Sequence, residues 1–208
     1  MKTFSEEQLA VELVLCDGVL EHCLRIDRVL RQPLGHVLLV GESGAGKTTL
    51  SRFVAWMNGM TVFQVKTSHS YTLEDFDNDL RGVMWAAGVN GDQVAFIFDE
   101  SNVLSSAFLE KMNALLASGE VPGLFEGDEW TKLQRQLGSA AHKEGVAVSG
   151  EDETYEFFIG QIRKNLHVIF TMNPGSADFD NRTATSPALF NRCVVDWVGD
   201  WTPLAFSQ

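Results

Sequence analysis

A glycine-rich segment that ends in lysine and threonine has the residue types and the spacing to bind phosphate. Residues 41–48 read Gly-Glu-Ser-Gly-Ala-Gly-Lys-Thr and match the pattern Gly-x-x-x-x-Gly-Lys-Ser/Thr. We expect Gly41, Gly44 and Gly46 to adopt positive φ angles, so that successive N–H groups surround a phosphate at the start of a helix. The alternative interpretation is a glycine-rich turn that binds nothing.

Lys47 and Thr48 add a charge and a hydroxyl at the end of this phosphate loop (residues 41–48). Lys47 would contact the β and γ phosphates of a nucleotide, and Thr48 would coordinate Mg2+. The residues expected to contact the nucleotide are Gly41, Glu42, Ser43, Gly44, Ala45, Gly46, Lys47, Thr48 and Thr49.

Two adjacent carboxylates, Asp99 and Glu100, follow the apolar run 94–98. Because parallel α/β sheets bind their ligands at the carboxyl ends of strands, both side chains are predicted to lie beside the phosphate loop. Asp99 would hold Mg2+ through its water shell, and Glu100 would polarise an attacking water as the general base. Alternatively, these acidic residues cap the following helix, a role that Ser101 and Asn102 can also perform.

Asn173 and Arg192 are the other two candidates for the chemistry. Asn173 follows the apolar run 166–171, and its amide could bind a γ phosphate and orient the water beside Glu100. An Asn-Pro dipeptide on its own indicates only a turn. Arg192 ends a predicted short helix, where it either stabilises the negative helix end or neutralises charge on a transferring phosphoryl group. The residues alone leave both roles open.

Short apolar runs alternate with helical patterns along the chain. The predicted buried strands are 36–40, 61–65, 94–98, 166–171 and 193–197. The predicted helices are 8–31, 47–58, 72–87, 105–118, 128–144 and 152–165. This alternation predicts an α/β fold with a five-stranded parallel sheet between helical layers. More than sixty residues separate the third strand from the fourth, whereas a crossover unit needs about 30, so an insertion is expected there.

Composition restricts the possible classes of protein. The 208 residues, 45% hydrophobic and 21% charged, are typical of one globular domain. A net charge of −12 opposes binding to nucleic acid. No apolar run approaches the ~20 residues of a membrane span, so no membrane contact and no export signal are expected. The 3 scattered cysteines favour a reducing compartment such as the cytosol.

The order of the motifs resembles the ATPase core of the AAA+ superfamily of P-loop NTPases. Longer stretches are similar to the fourth AAA+ module of cytoplasmic-type dynein heavy chains, and this likeness extends from about Val14 to Trp201. The stretches that carry it are 35–58, 98–103, 119–128, 170–174 and 184–193. The resemblance implies a single large α/β subdomain over 1–208, with a helical lead-in at 1–33, an ATPase core at 34–201 and no C-terminal helical lid.

The resemblance also implies a function, which is an ATP-binding and ATP-hydrolysing module of a microtubule motor ring. ATP would bind with Mg2+ on Thr48 and Asp99, and Arg192 would act in trans on a neighbouring module. The implied partners are adjacent AAA+ modules of the same heavy chain and, through the full-length motor, light chains, intermediate chains and microtubules. The implied location is the cytoplasm and its microtubule cytoskeleton.

The alternative function is a regulatory module that keeps ATP bound with negligible turnover. Glu100 favours hydrolysis, because a purely structural site does not need a general base. A GTPase is disfavoured, because the sequence contains no Asn-Lys-x-Asp motif for reading guanine.

Overall fold

The computed structural model describes residues 16–68, 70–176, 179 and 184–199 of the chain. The helices within this part are α1 Asp17–Leu30, α2 Lys47–Met57, α3 Leu73–Trp85, α4 Ser106–Ser118, α5 Gly127–Lys143, α6 Glu151–Asn165 and α7 Pro187–Arg192. The strands are β1 His36–Val40, β2 Thr61–Gln64, β3 Val94–Asp99, β4 Leu166–Met172 and β5 Cys193–Trp197. A π-helical turn, Ala86–Asn90, extends α3, and a 3-10 turn, Glu100–Asn102, follows β3.

The five strands form one parallel sheet in the order β2-β3-β4-β1-β5. Strand β1 leads into the phosphate loop, and its neighbour β4 separates it from β3. Because all strands run the same way, the residues that follow β1, β3 and β4 lie together at one end of the sheet. This end, where the carboxyl ends of the strands meet, is called the carboxyl edge, and the opposite end is called the amino edge. The predicted α/β fold with a five-stranded parallel sheet is confirmed.

Each face of the sheet has its own apolar core. Ile97 and Ile169 pack on one face with residues of α1 and α2. Phe98 and Phe170 pack on the other face with residues of α3 to α6. Since successive strand residues point to opposite faces, Asp99 shares the face of Ile97, which is the face that α2 covers. This alternation places the Asp99 carboxylate on the same side of the sheet as the helix that begins with Lys47.

The connection between β3 and β4 contains three α-helices, so the predicted insertion is confirmed. Its last helix, α6, packs closely against the π-helical turn, where a β-carbon on Gly88 would lie 2.3 Å from Phe158 Cε2. At the end of α6, Asn165 accepts a hydrogen bond from Gln93 at 2.7 Å and donates one to the Ala87 carbonyl at 3.0 Å. These contacts fix the insertion beside the amino ends of β3 and β4.

The sequence-based boundaries agree with the structure to within a few residues. Strands β1 and β5 have the predicted bounds, whereas β3 and β4 each extend one residue further at the carboxyl edge. Residues 8–15 of the first predicted helix, 8–31, lie outside the described residues. Within the described part of that segment, the observed helix is Asp17–Leu30. Over the parts of the chain that are described, none of the helices combines the length and apolar character that a membrane span requires.

Candidate nucleotide-binding site

The phosphate loop has a backbone suited to anion binding. Gly44 and Gly46 adopt φ angles of 87° and 79°, a region that favours glycine. Gly46 directly precedes α2 as its N-cap residue and, being a glycine, makes no side-chain capping bond to the first turn of that helix. The N–H groups of the turn are therefore available to an anion at the positive end of the helix.

Gly41 serves a different purpose from the one predicted. It does not adopt a positive φ, so the prediction for this residue was wrong. A β-carbon at Gly41 would instead lie 2.3 Å from the carbonyl oxygen of Val198, just beyond β5. The Val198 N–H donates to the Val40 carbonyl at 2.8 Å, which holds the two segments together. Glycine is needed here because two backbones come into close contact.

Lys47 lies at the centre of the candidate site. Its Nζ donates hydrogen bonds to the carbonyls of Gly41 and Glu42, both at 2.7 Å. Burial lowers the pKa of Lys47, while the charges of Asp99 and Glu100 oppose that shift. The ammonium group is thus within electrostatic range of both predicted carboxylates.

Asp99 accepts hydrogen bonds at both carboxylate oxygens. Oδ1 accepts from Ser101 N at 2.9 Å and from Ser101 Oγ at 2.6 Å, and Oδ2 accepts from Thr171 Oγ1 at 2.5 Å. Partial burial acts to raise the pKa of Asp99, but these hydrogen bonds and the charge of Lys47 outweigh it, and the pKa is lowered. Asp99 therefore caps the 3-10 turn, as the alternative interpretation held, and also presents an ionised carboxylate beside Lys47.

Glu100 begins the 3-10 turn, and the side chain of Asn102 fixes that turn to the rest of the domain. Asn102 is 8% exposed, and its Nδ2 donates to the Val65 carbonyl at 2.9 Å. Its Oδ1 accepts from Thr67 Oγ1 at 3.2 Å. These bonds connect the turn that carries Glu100 to the segment after β2. From its sequence position Asn102 is expected only as a helix cap, because its bonds to Val65 and Thr67 depend on a distant segment of the chain.

Asn173 lies directly beyond β4, at the carboxyl edge where the phosphate loop and Asp99 are also found. Its Oδ1 accepts a hydrogen bond from Gly175 N at 3.0 Å, which forms a tight turn within the Asn-Pro-Gly sequence. Asn173 thus occupies the expected edge of the sheet. The turn that its dipeptide predicted is present as well.

Arg192 lies at the amino edge of the sheet, where the strands begin. It is exposed and directly precedes Cys193, which pairs in register with His36 at the start of β1. The phosphate loop follows Val40, four residues further along β1, or roughly 13 Å at 3.3 Å per residue. Lys47 therefore lies within electrostatic range of Asp99 and Glu100, and Asn173 lies at the same end of the sheet. Arg192 lies at the other end.

The residues at the carboxyl edge fit a magnesium nucleotide. Thr48, in the first turn of α2, and Asp99 offer the oxygen ligands that Mg2+ prefers. The uncapped helix end and Lys47 supply the positive potential that a polyphosphate needs. Thr171 is not among the predicted site residues, although a polar residue within the apolar run before Asn173 is a visible signal in the sequence.

Comparison with known proteins agrees with this geometry. A family model described as "P-loop containing dynein motor region D4" matches residues 11–208. Proteins named "Dynein heavy chain, cytoplasmic" are 61% identical to this chain in Paramecium tetraurelia, 60% in Drosophila melanogaster and 58% in Dictyostelium discoideum. Each similarity covers 100% of this chain, which spans only 5%, 4% and 4% of those proteins, respectively. The predicted resemblance to cytoplasmic dynein heavy chains is confirmed, and the chain belongs to the family described as the P-loop containing dynein motor region D4.

Proposed function

We propose that this chain is an ATP-binding and ATP-hydrolysing module of a dynein motor ring and is the fourth module of that ring. The observation that carries the proposal is the convergence of Lys47, Asp99 and Glu100 at the carboxyl edge of the sheet, next to the uncapped start of α2. A cation, an ionised metal ligand and a second carboxylate are the groups that phosphoryl transfer to water requires.

The phosphate loop binds the nucleotide. Backbone N–H groups from Ser43 to Thr49 surround the phosphates, and Lys47 exchanges its two carbonyl acceptors for phosphate oxygens. Because those acceptors belong to Gly41 and Glu42, the ammonium group is already held against the loop before the nucleotide arrives. This pre-organisation lowers the entropic cost of binding.

Thr48 and Asp99 would hold Mg2+, through the Thr48 hydroxyl and the Asp99 carboxylate. When bound, Mg2+ neutralises charge on the β and γ phosphates. The lowered pKa of Asp99 keeps this carboxylate ionised at neutral pH, which is the form that attracts the cation.

Glu100 and Asn173 act on the attacking water. Glu100 accepts a proton from the water as the nucleophile approaches the γ phosphate, and the Asn173 amide donates a hydrogen bond to a γ oxygen. The position of Asn173 beyond β4 supports this role, because β4 lies between β1 and β3 in the sheet.

Arg192 acts on the nucleotide of the preceding module. Its location at the amino edge of the sheet, away from the phosphate loop, supports a role outside its own site. Within the described part of the chain, Arg192 is exposed and belongs to none of the ion pairs. An exposed guanidinium that forms no ion pair with the described residues can contact a neighbour's phosphate.

The partners and the location follow from the proposed ring. Adjacent AAA+ modules of the same heavy chain are the direct partners, and the full-length motor brings light chains, intermediate chains and microtubules. The cytoplasmic location is supported by the names of the relatives. A regulatory module with ATP bound and negligible turnover is the alternative function, and the presence of Glu100 beside Lys47 favours hydrolysis over it.

Nucleotide titration of the chain tests the proposal. ATP should bind in the presence of Mg2+ and displace GTP. Lys47→Ala should weaken binding at least tenfold, because a charge-assisted hydrogen bond contributes about 1.5 to 3 kcal/mol. Lys164→Ala, which removes an exposed lysine at the end of α6, is the matched control and should leave the affinity unchanged. Equal affinities for the parent chain and Lys47→Ala would contradict the assignment.

A further inference from the structure

Thr171 and Asp99 are direct neighbours across two strands. Asp99, the last residue of β3, pairs in register with Thr171 of β4. Register partners in a parallel pair point to the same face of the sheet. Their side chains meet there, and Thr171 Oγ1 donates to Asp99 Oδ2 at 2.5 Å.

The Thr171 side chain is fully buried on a face of the sheet that carries an apolar core. The residue is 0% exposed, and strand residues that share its face, such as Ile169 and Leu39, belong to the apolar core under α2. A buried hydroxyl destabilises a core unless it is hydrogen-bonded. Here the hydroxyl donates to a carboxylate rather than to a backbone carbonyl, so the bond is charge-assisted.

The two oxygens of Asp99 are held by two different segments of the chain. Ser101, on the same chain segment, occupies Oδ1 through its backbone N–H and its hydroxyl, and Thr171, on the adjacent strand, occupies Oδ2. Because Ser101 holds one oxygen and Thr171 holds the other, the carboxylate group cannot rotate about its Cβ–Cγ bond without breaking a hydrogen bond. Its one remaining lone pair, on Oδ2, therefore keeps one direction relative to Lys47.

We propose that Thr171 is a positioning residue that orients the Asp99 carboxylate for Mg2+. The inference rests on the proposed function, in which Asp99 holds the metal. Thr171 cannot contact the nucleotide or the metal itself, because its side chain is fully buried, so it acts only through Asp99. Mutation of a residue that is hydrogen-bonded to a metal ligand typically lowers metal affinity or activity by about 10- to 100-fold.

The test measures how much Mg2+ strengthens nucleotide binding. The affinity of the chain for ATP is compared in saturating Mg2+ and in EDTA, and the ratio of the two reports the metal site alone. Thr171→Val keeps the shape and removes the hydroxyl, so the ratio should fall by roughly 10-fold or more while the affinity in EDTA stays unchanged. Thr171→Ser restores the hydroxyl and should recover the parent ratio. Thr171→Ala provides the same test if valine impairs folding, as judged by thermal unfolding.

A double-mutant cycle identifies the path of the effect. In the Asp99→Asn background, adding Thr171→Val should change the ratio by less than about twofold, because the bond is already altered at its acceptor. An unchanged ratio for Thr171→Val would overturn the inference, and so would an equal loss in the parent and Asp99→Asn backgrounds. A parent chain that gains no affinity from Mg2+ would instead refute the proposed function, and the inference with it.

Discussion

Gly41 and Val198 are in backbone contact at the point where the last strand ends beside the phosphate loop. A β-carbon on Gly41 would lie 2.3 Å from the Val198 carbonyl oxygen, and the Val198 N–H donates to the Val40 carbonyl at 2.8 Å. The same strand, β5, begins directly after Arg192. A single strand therefore connects the exposed arginine at one edge of the sheet with the loop at the other.

This contact predicts that Gly41→Ala destabilises the chain and weakens ATP binding. The new methyl group would collide with backbone, which cannot rotate away, and overpacking of this kind typically costs about 1 to 3 kcal/mol. Urea unfolding and ATP titration measure the two effects. Gly160→Ala is the matched control, because Gly160 is exposed within α6 and a β-carbon there meets no atom within 4 Å. The control should be neutral or slightly stabilising. Equal stability of the two variants would contradict the assignment.

Arg192→Ala is expected to slow ATP hydrolysis at the preceding module of an assembled ring. An arginine that contacts a transferring phosphoryl group contributes about 10³ to 10⁵ in rate. ATP affinity at Lys47 should stay unchanged, because Arg192 lies at the amino edge of the sheet. Single-turnover hydrolysis at each module, measured in full-length heavy chain, checks both statements. Arg135→Ala removes another exposed arginine and is the control. Loss of binding at Lys47 would contradict the in-trans role.

Two buried histidines predict a loss of stability in mild acid. Burial, with a further contribution from the charge of His167, lowers the pKa of His36 from its ordinary value of 6.5 to about 4. His36 Nδ1 accepts a hydrogen bond from Val168 N at 3.0 Å, which requires the neutral ring. Since the unfolded chain binds the proton more tightly, this contribution to stability is complete above about pH 6.5 and is lost as the pH falls toward 4.

His36→Asn isolates that contribution. Asparagine offers an oxygen where Nδ1 lies but does not titrate. From about pH 7.5 to about pH 5, the free energy of unfolding of the parent chain should fall by about 2 kcal/mol more than that of His36→Asn. Urea denaturation at each pH measures the difference. The pH range ends at about pH 5 because most carboxylates titrate below that value. Parallel pH profiles for the two proteins would show that His36 is not responsible.

The sequence predicted those parts of the fold and site that depend on local pattern. The five strands were recognisable because each is a short apolar run, and the phosphate loop was recognisable because its glycines and lysine have a fixed spacing. Asp99 and Asn173 could be placed at one edge because parallel strands share a direction.

Contacts between distant segments were not predictable in the same way. The need for glycine at position 41 arises from Val198, more than 150 residues later in the chain. The bond between Thr171 and Asp99 depends on the register of β3 and β4, which no single-sequence pattern specifies. The π-helical turn after α3 is likewise part of a tertiary contact, in which Gly88 packs against Phe158.

The most direct test of the central claim is single-turnover ATP hydrolysis by Glu100→Gln. The measurement uses full-length heavy chain in which the phosphate-loop lysines of the other modules are replaced, so that only this site turns over. Glu110→Gln, at an exposed position of α4, is the matched control. We predict that Glu100→Gln binds ATP as the parent does but cleaves it about 100-fold or more slowly, as expected for loss of a general base. A cleavage rate equal to that of the parent and of Glu110→Gln would contradict the claim that this site hydrolyses ATP through Glu100.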